Sequence, residues 1–182
     1  MIYDKLGKRA NALAIYEQAV AHAHKYQTYL NNLAAQHFRQ KNYDKAIATY
    51  RQALGLNADY LITYFEIANV YRSLGRPEEA LRYQQKGVSL LDEAKIAALE
   101  INREAWYFSL GDQHFHLDTL PRKRCYAYRS LAATLRALQR RAEADTYQQK
   151  PCGLDSVDEH DIQAWVEIET GHAGGAQRSP NL

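Results

Sequence analysis

Large and small apolar residues recur along much of the chain at i, i+3, i+4 and i+7, the spacing that gathers them on one face of a helix. Leu30, Leu33, Ala34 and His37 follow it, and so do Tyr64, Ile67, Ala68 and Tyr71, the second run ending on Leu74-Gly75. After each run a second helical pattern begins, and its markers return every 34 residues. Ala12, Ala46 and Ala80 fall in line with Leu13, Ile47 and Leu81 beside them; Tyr16 and Tyr50, then Ala19 and Ala53, keep the same register. Each unit is therefore predicted as a helix, a short turn and a second helix. Small residues have a physical role here, since two antiparallel helices interlock closely only where a side chain is little more than a methyl group. Ala34 is expected against Ala46, and Ala68 against Ala80.

One match falls outside the 34-residue period. Tyr-Gln-Gln-Lys occurs at 83–86 and again at 147–150, with Ala80 and Ala144 three residues ahead, an offset of 64. The later copy belongs to a unit running Tyr128, Leu131, Ala132, Leu135, Leu138 and then Ala144. Between Leu91 and Cys125 the second-helix signature never comes. A helix-like run from Asp92 to Glu104 stands there, followed by two alternating aromatic-rich runs around Gly111-Asp112. That pattern predicts a two-residue β-hairpin. Counting outward puts Trp106, Phe108, Phe115 and Leu117 on one face and Tyr107, Ser109, His114 and His116 on the other. A hairpin alone is marginal in water, so its aromatic face should dock on the helices. The reading is of a repeat interrupted, with the hairpin in place of a second helix; the competing reading is a long helix to Leu110 followed by a loop.

These patterns resemble the tetratricopeptide repeat (TPR) family. Its motif is a large residue, Leu, a small residue and Tyr on the first helix, then Ala, a large residue and Ala on the second. The resemblance is strong over 27–91, good over 125–150 and partial at the start, where Tyr3, Leu6 and Gly7 match the end of a first helix whose opening is absent. It implies an all-α, right-handed α-solenoid with a small β-hairpin insertion around 105–118. The expected layout is a partial repeat at 1–26, repeats at 27–60 and 61–92, an irregular insert at 93–121 and a degenerate repeat at 122–153. Ser156-x2-Glu159 resembles a capping box, and Ile162, Trp165, Val166 and Ile168 leave one apolar stripe on an acidic helix to about Glu169. This reads as a closing helix over 154–170, and the tail GHAGGAQRSPNL at 171–182 as disordered. Helix 8–23 lacks most of its partner, which suggests an N-terminally truncated chain.

Composition changes this picture little. With 46% hydrophobic and 24% charged residues, 9 Gly and 4 Pro in 182, a soluble helical chain is expected, and a net charge of +2 implies no polyanionic partner. No apolar run approaches a membrane span and no export signal opens the chain, so a cytoplasmic location is expected. Asp112, His114, His116 and Asp118 could face a metal together, but their spacing matches no metal motif and wet-face polarity is the better reading; no metal or cofactor is expected. Cys125 and Cys152 come to the same end of the last helical pair. A disulfide is conceivable there, although two reduced, partly buried thiols are expected. No phosphate loop, nucleophile elbow or metalloprotease motif is present, and no catalysis is expected.

Charge matters more in its distribution. Thr119 to Ala142 holds seven bases and no acid, whereas 143–170 holds eight acids against Lys150. The two signs either meet within the fold or offer a cationic stretch to an acidic peptide, with nucleic acid less favoured.

TPR solenoids bind partners on the concave surface lined by their first helices, and the resemblance implies the same here. The corresponding positions are Thr28, Asn31, Asn32 and Arg39, then Phe65, Glu66, Asn69 and Arg72, then Tyr126, Arg129, Ala133 and Arg136. Asn can bond a peptide N–H and C=O at once, so Asn31, Asn32 and Asn69 suit an extended backbone, and the arginines suit acidic side chains. Ile62 and Glu66 stand where the dicarboxylate clamp of chaperone-binding TPR proteins carries bases, which argues against that ligand class. The expected function is a non-catalytic protein-interaction scaffold, with self-association through the unpaired N-terminal repeat as a further expectation. The alternative is a regulatory or substrate-recruiting segment of a larger enzyme.

Overall fold

The computed structural model describes Ile15 and residues 27–92, 106–110 and 113–175. Helices come in three pairs: α1 (Gln27–Arg39) with α2 (Tyr43–Leu56), α3 (Leu61–Ser73) with α4 (Pro77–Asp92), and α5 (Leu120–Ala137) with α6 (Arg141–Gln148). Strands β1 (Trp106–Leu110) and β2 (Gln113–Leu117) lie between the second and third pairs, and α7 (Ser156–Gly175) closes the described chain. The expectations for helix 8–23, apart from the helical Ile15, and for the run to Glu104 beyond Asp92 lie outside the described residues.

The repeat shows in the backbone as well as in the side chains. The first helix of each pair ends on a residue with left-handed backbone: Lys41 (φ 62°), Gly75 (φ 68°) and Gln139 (φ 61°). Behind each, the next amide donates to a carbonyl five residues back, Asn42 to His37, Arg76 to Tyr71 and Arg140 to Leu135, all at 2.9 Å. These are three copies of one helix-ending motif, which satisfies carbonyls that the helix leaves orphaned. Glycine adopts that backbone freely, while Lys41 and Gln139 each carry a cost of about 1 kcal/mol. Ala34, Ala46, Ala68, Ala80, Ala132 and Ala144 are all fully buried, as close helix crossings require.

Successive pairs stack directly. Gln84 on α4 donates to the Ser130 carbonyl and hydroxyl on α5 at 3.3 and 2.8 Å. Phe65 on α3 meets Tyr126 on α5 edge to face, with ring centroids 5.8 Å apart. Among the described residues the hairpin therefore enters the chain as an insertion between two helical pairs. The 64-residue offset is one repeat plus that insertion.

The hairpin has the register that its alternation predicts: Trp106 opposite Leu117, Tyr107 opposite His116, Phe108 opposite Phe115, Ser109 opposite His114 and Leu110 opposite Gln113. On β2 the expected inward face docks. Leu117 is fully buried and Phe115 stacks on Trp165 of α7 at 5.1 Å and 13°, while His116 is exposed. The turn and the side chains of Trp106, Phe108 and His114 lie outside the described residues.

Two local expectations at the C-terminal end are corrected. Asp155 caps α7, its side chain accepting from the amides of Val157 and Asp158 at 3.0 and 2.9 Å. Glu159 is thereby freed from the expected capping box and pairs with Arg129. The helix also continues past Gly171 to Gly175, where disorder was expected; Gly171 costs only about 1 kcal/mol inside the helix, Gly174 and Gly175 fall at its end, and no proline intervenes.

Close packing gives a paired prediction. A Cβ at Gly87 would stand 2.9 Å from the ring of Phe65, which is fully buried, whereas one at Gly55 would meet nothing within 4 Å. Gly87→Ala should lower stability by about 1 to 3 kcal/mol. Gly55→Ala should raise it by up to about 1 kcal/mol through helix propensity. Urea unfolding of both variants checks the signs.

Candidate partner-binding surface

Helices α1, α3 and α5 are the first helices of their pairs and share the face that is concave in such a solenoid. On α1, Thr28 is exposed and Asn32 and Arg39 are part-exposed. Asn31 serves the fold, its Oδ1 accepting from the Thr63 hydroxyl at 2.8 Å and tying α1 to α3. On α3 and α5 the picture departs from expectation. Phe65 is fully buried, and Asn69, Arg72 and Arg129 are 9%, 8% and 6% exposed, so none of the four lines an open surface. Glu66 is part-buried and Arg136 is exposed.

What covers them is α7, which lies against α5 and α3. Ile162, Trp165 and Val166 enter the core that contains Leu61, Phe65, Tyr126 and Leu131. One turn beyond, Glu169 completes the stripe as a charged member. Its carboxylate accepts from Arg72 Nη2 at 3.2 Å, from the Tyr126 hydroxyl at 3.0 Å, from Trp165 Nε1 at 3.0 Å and from Asn69 Nδ2 at 3.4 Å. Arg72 is itself fixed by donating to Ser130 Oγ at 2.9 Å and to Asn69 Oδ1. Asn69 and Arg72 thus hold the carboxylate of the chain's own α7.

Both signs of charge meet the same way at the other end of α7. Arg122 pairs with Asp158 at 3.6 Å, and Arg129 pairs with Glu159 at 3.4 Å while donating to the carbonyls of Tyr147 and Lys150. Arg136 faces Asp145 at 3.7 Å, on exposed surface where such a pair contributes little. Much of the basic run is thus answered by the acidic one.

Burial sets the electrostatics of this layer. The Glu66 carboxyl is pushed up to about 8, first by burial and then by the Glu169 carboxylate, against the opposing influence of Arg39, Tyr50 and Arg72. Glu169 is also raised by burial, which outweighs Arg72 and the donors from Tyr126 and Trp165. The Tyr126 hydroxyl is held well above its ordinary value by burial and by Glu169, so it remains a donor.

Cys125 and Cys152 form a disulfide with Cα atoms 4.9 Å apart, correcting the expectation of two thiols. Geometry explains it: the start of α5 and the segment after α6 meet at one end of an antiparallel pair. The sulfurs and the Glu159 carboxylate lie within 4.8 Å of one another, but the sulfurs are committed to each other while the bond stands. The bond closes a loop of 27 residues and should contribute about 3 kcal/mol. Reduction, or Cys125→Ser with Cys152→Ser, should lower the thermal midpoint by roughly 6 to 12 °C, read by circular dichroism with and without a phosphine reductant.

Two tetratricopeptide repeat models match the chain, one over residues 25–93 and one over 1–21. The chain belongs to the tetratricopeptide repeat family. Heat shock protein STI1 of Saccharomyces cerevisiae is 31% identical to this TPR chain over 87 residues, which cover 41% of the chain and 15% of STI1. Two crystal structures of MamA have the same fold. One aligns with a TM-score of 0.60 at 18% identity, covering 90% of this chain and 75% of that one; the other gives 0.58 at 16%, covering 99% and 73%. Among the described residues no helix is long and apolar enough to cross a membrane. The solenoid, and a role in protein interaction, follow from the repeats.

Proposed function

We propose that this TPR chain is a non-catalytic scaffold that receives a segment of a partner protein on the face built by its first helices, with a preference for acidic segments. The observation that carries the reading is the seating of α7. A peptide segment already lies on that face, held by an apolar stripe and by Arg72, Asn69, Arg122 and Arg129 acting on its carboxylates. Thr28, Asn32 and Arg39 continue the same face on α1, where they can engage the backbone and acids of an extended segment, and Arg136 adds an exposed cation.

A binding comparison tests this. Thr28→Ala, Asn32→Ala and Arg136→Ala combined should leave folding nearly unchanged, each surface change falling within about 0.5 kcal/mol. Capture of specific protein partners should fall severely, and the remaining binding should respond less to salt. Retention of every partner by the folded variant would remove the first-helix face from consideration.

A further inference from the structure

The polar seat beneath α7 is built mostly by the repeats. Of the four groups that donate to Glu169, Arg72, Asn69 and Tyr126 belong to α3 and α5; Trp165 alone comes from α7. Arg72 is held in place by Ser130 and Asn69, contacts in which α7 takes no part. Donors fixed before the carboxylate arrives make a preorganised acceptor site, the arrangement that lowers the ordering cost of binding. We propose that this part of the first-helix face is a receptor for an acidic amphipathic helix, that α7 is its resident ligand, and that a partner helix with the same pattern binds by displacing it. The pattern is read from Ile162, Trp165, Val166 and Glu169: apolar at i, aromatic at i+3, apolar at i+4 and a carboxylate at i+7, preceded by acids as at Asp158 and Glu159.

Three features suit α7 to being a replaceable occupant. Although it follows α6 in the chain, it packs mainly on α5 and α3, with Trp165 also stacked on Phe115 of β2, while the helical pairs make their crossings with one another. Glu66 on α3 opposes ionisation of any carboxylate seated there, so the polar anchor of the resident is weaker than its donors alone would make it. The chain is pinned at Cys152, shortly before α7 begins, while the principal polar anchor, Glu169, lies towards the far end. The helix can therefore lift from its C-terminal side and return. A tethered ligand competes at an effective concentration in the millimolar range, so a free helix binds the intact chain weakly until the resident is loosened.

The inference rests on the scaffold reading and is tested separately from it. The probe is a fluorescent peptide of residues 156–171, titrated into the full-length chain by anisotropy. The intact chain should bind it weakly. Full-length Trp165→Ala and Glu169→Gln, in which the resident is loosened, should bind it at least about tenfold more tightly. A peptide carrying Glu169→Gln should lose about tenfold against every form, and Arg72→Ala in the chain should abolish the gain. Folded variants that bind no better than the intact chain, or a peptide indifferent to its Glu169, would overturn the proposal. Should Trp165→Ala fail to fold, Glu169→Gln and hydrogen exchange of the unaltered chain decide: α7 amides should exchange ahead of those in α3 and α5, and exchange only in step with them sinks the idea. If the peptide fails while the α1 variants still lose their partners, the displacement reading falls and the scaffold reading stands.

Discussion

Arg72→Ala should destabilise the folded chain by about 3 to 5 kcal/mol, although the residue sits where a TPR repeat would offer a side chain to a partner. The arginine is 8% exposed, and its guanidinium bridges three elements: Asn69 on its own helix, Ser130 on α5 and Glu169 on α7. A buried ion pair contributes little net stability, because desolvation offsets the attraction, but removing one partner strands the other. With Arg72 gone, Glu169 keeps donors from Tyr126, Trp165 and Asn69 yet loses the guanidinium that balances its charge. It must then be protonated or leave the layer with α7. The loss should therefore shrink when the charge is removed as well, so Arg72→Ala with Glu169→Gln should be less destabilising than the sum of the single changes. A double-mutant cycle by chemical denaturation measures this coupling, and additivity within about 0.5 kcal/mol would mean that the pair does not act as a unit.

The same pair shows where sequence reading stops. Helix pairs, alanine crossings and the hairpin register are written in spacings of a few residues, and each was legible because local geometry decides it. Ile162, Trp165 and Val166 were legible as a stripe for the same reason. Glu169 was not marked as part of it, because an acid on a helix reads as solvent-facing until its buried donors are known. Those donors come from positions up to 100 residues away. The first-helix residues were assigned to the right helices but as though the surface were empty; α7 converts Asn69, Arg72 and Arg129 from surface to interior. Phe65 is a different case, since its ring fills the space that Gly87 leaves and meets Tyr126. For the cysteines, proximity followed from the antiparallel pair, whereas pairing depends on redox conditions that residue spacing does not encode.

Stability should fall as pH rises through the range from about 4.5 to about 8, and Glu66→Gln should remove that part of the dependence. Glu66 has a folded-state value near 8 against an ordinary 4.5. A carboxyl raised in the folded state is protonated there while it ionises in the unfolded chain. Its favourable contribution is therefore complete below about 4.5, declines with increasing pH and is gone above about 8, an effect of at most about 5 kcal/mol across the window. The groups acting on it come from several elements: Arg39 on α1, Tyr50 on α2, Arg72 on α3 and Glu169 on α7. Glu169 has the same sign, being raised by burial, so α7 faces a second anion in the layer once Glu66 ionises. The measurement is the difference in unfolding free energy between wild type and Glu66→Gln from pH 5 to pH 9, which cancels the carboxylates they share. The difference should move steadily in favour of Glu66→Gln as pH rises, and above pH 8 the variant should be the more stable protein. A flat difference would place Glu66 in contact with water and separate it from Glu169. A slope that persists in Glu66→Gln but disappears in Glu169→Gln would assign the titration to the carboxyl of α7.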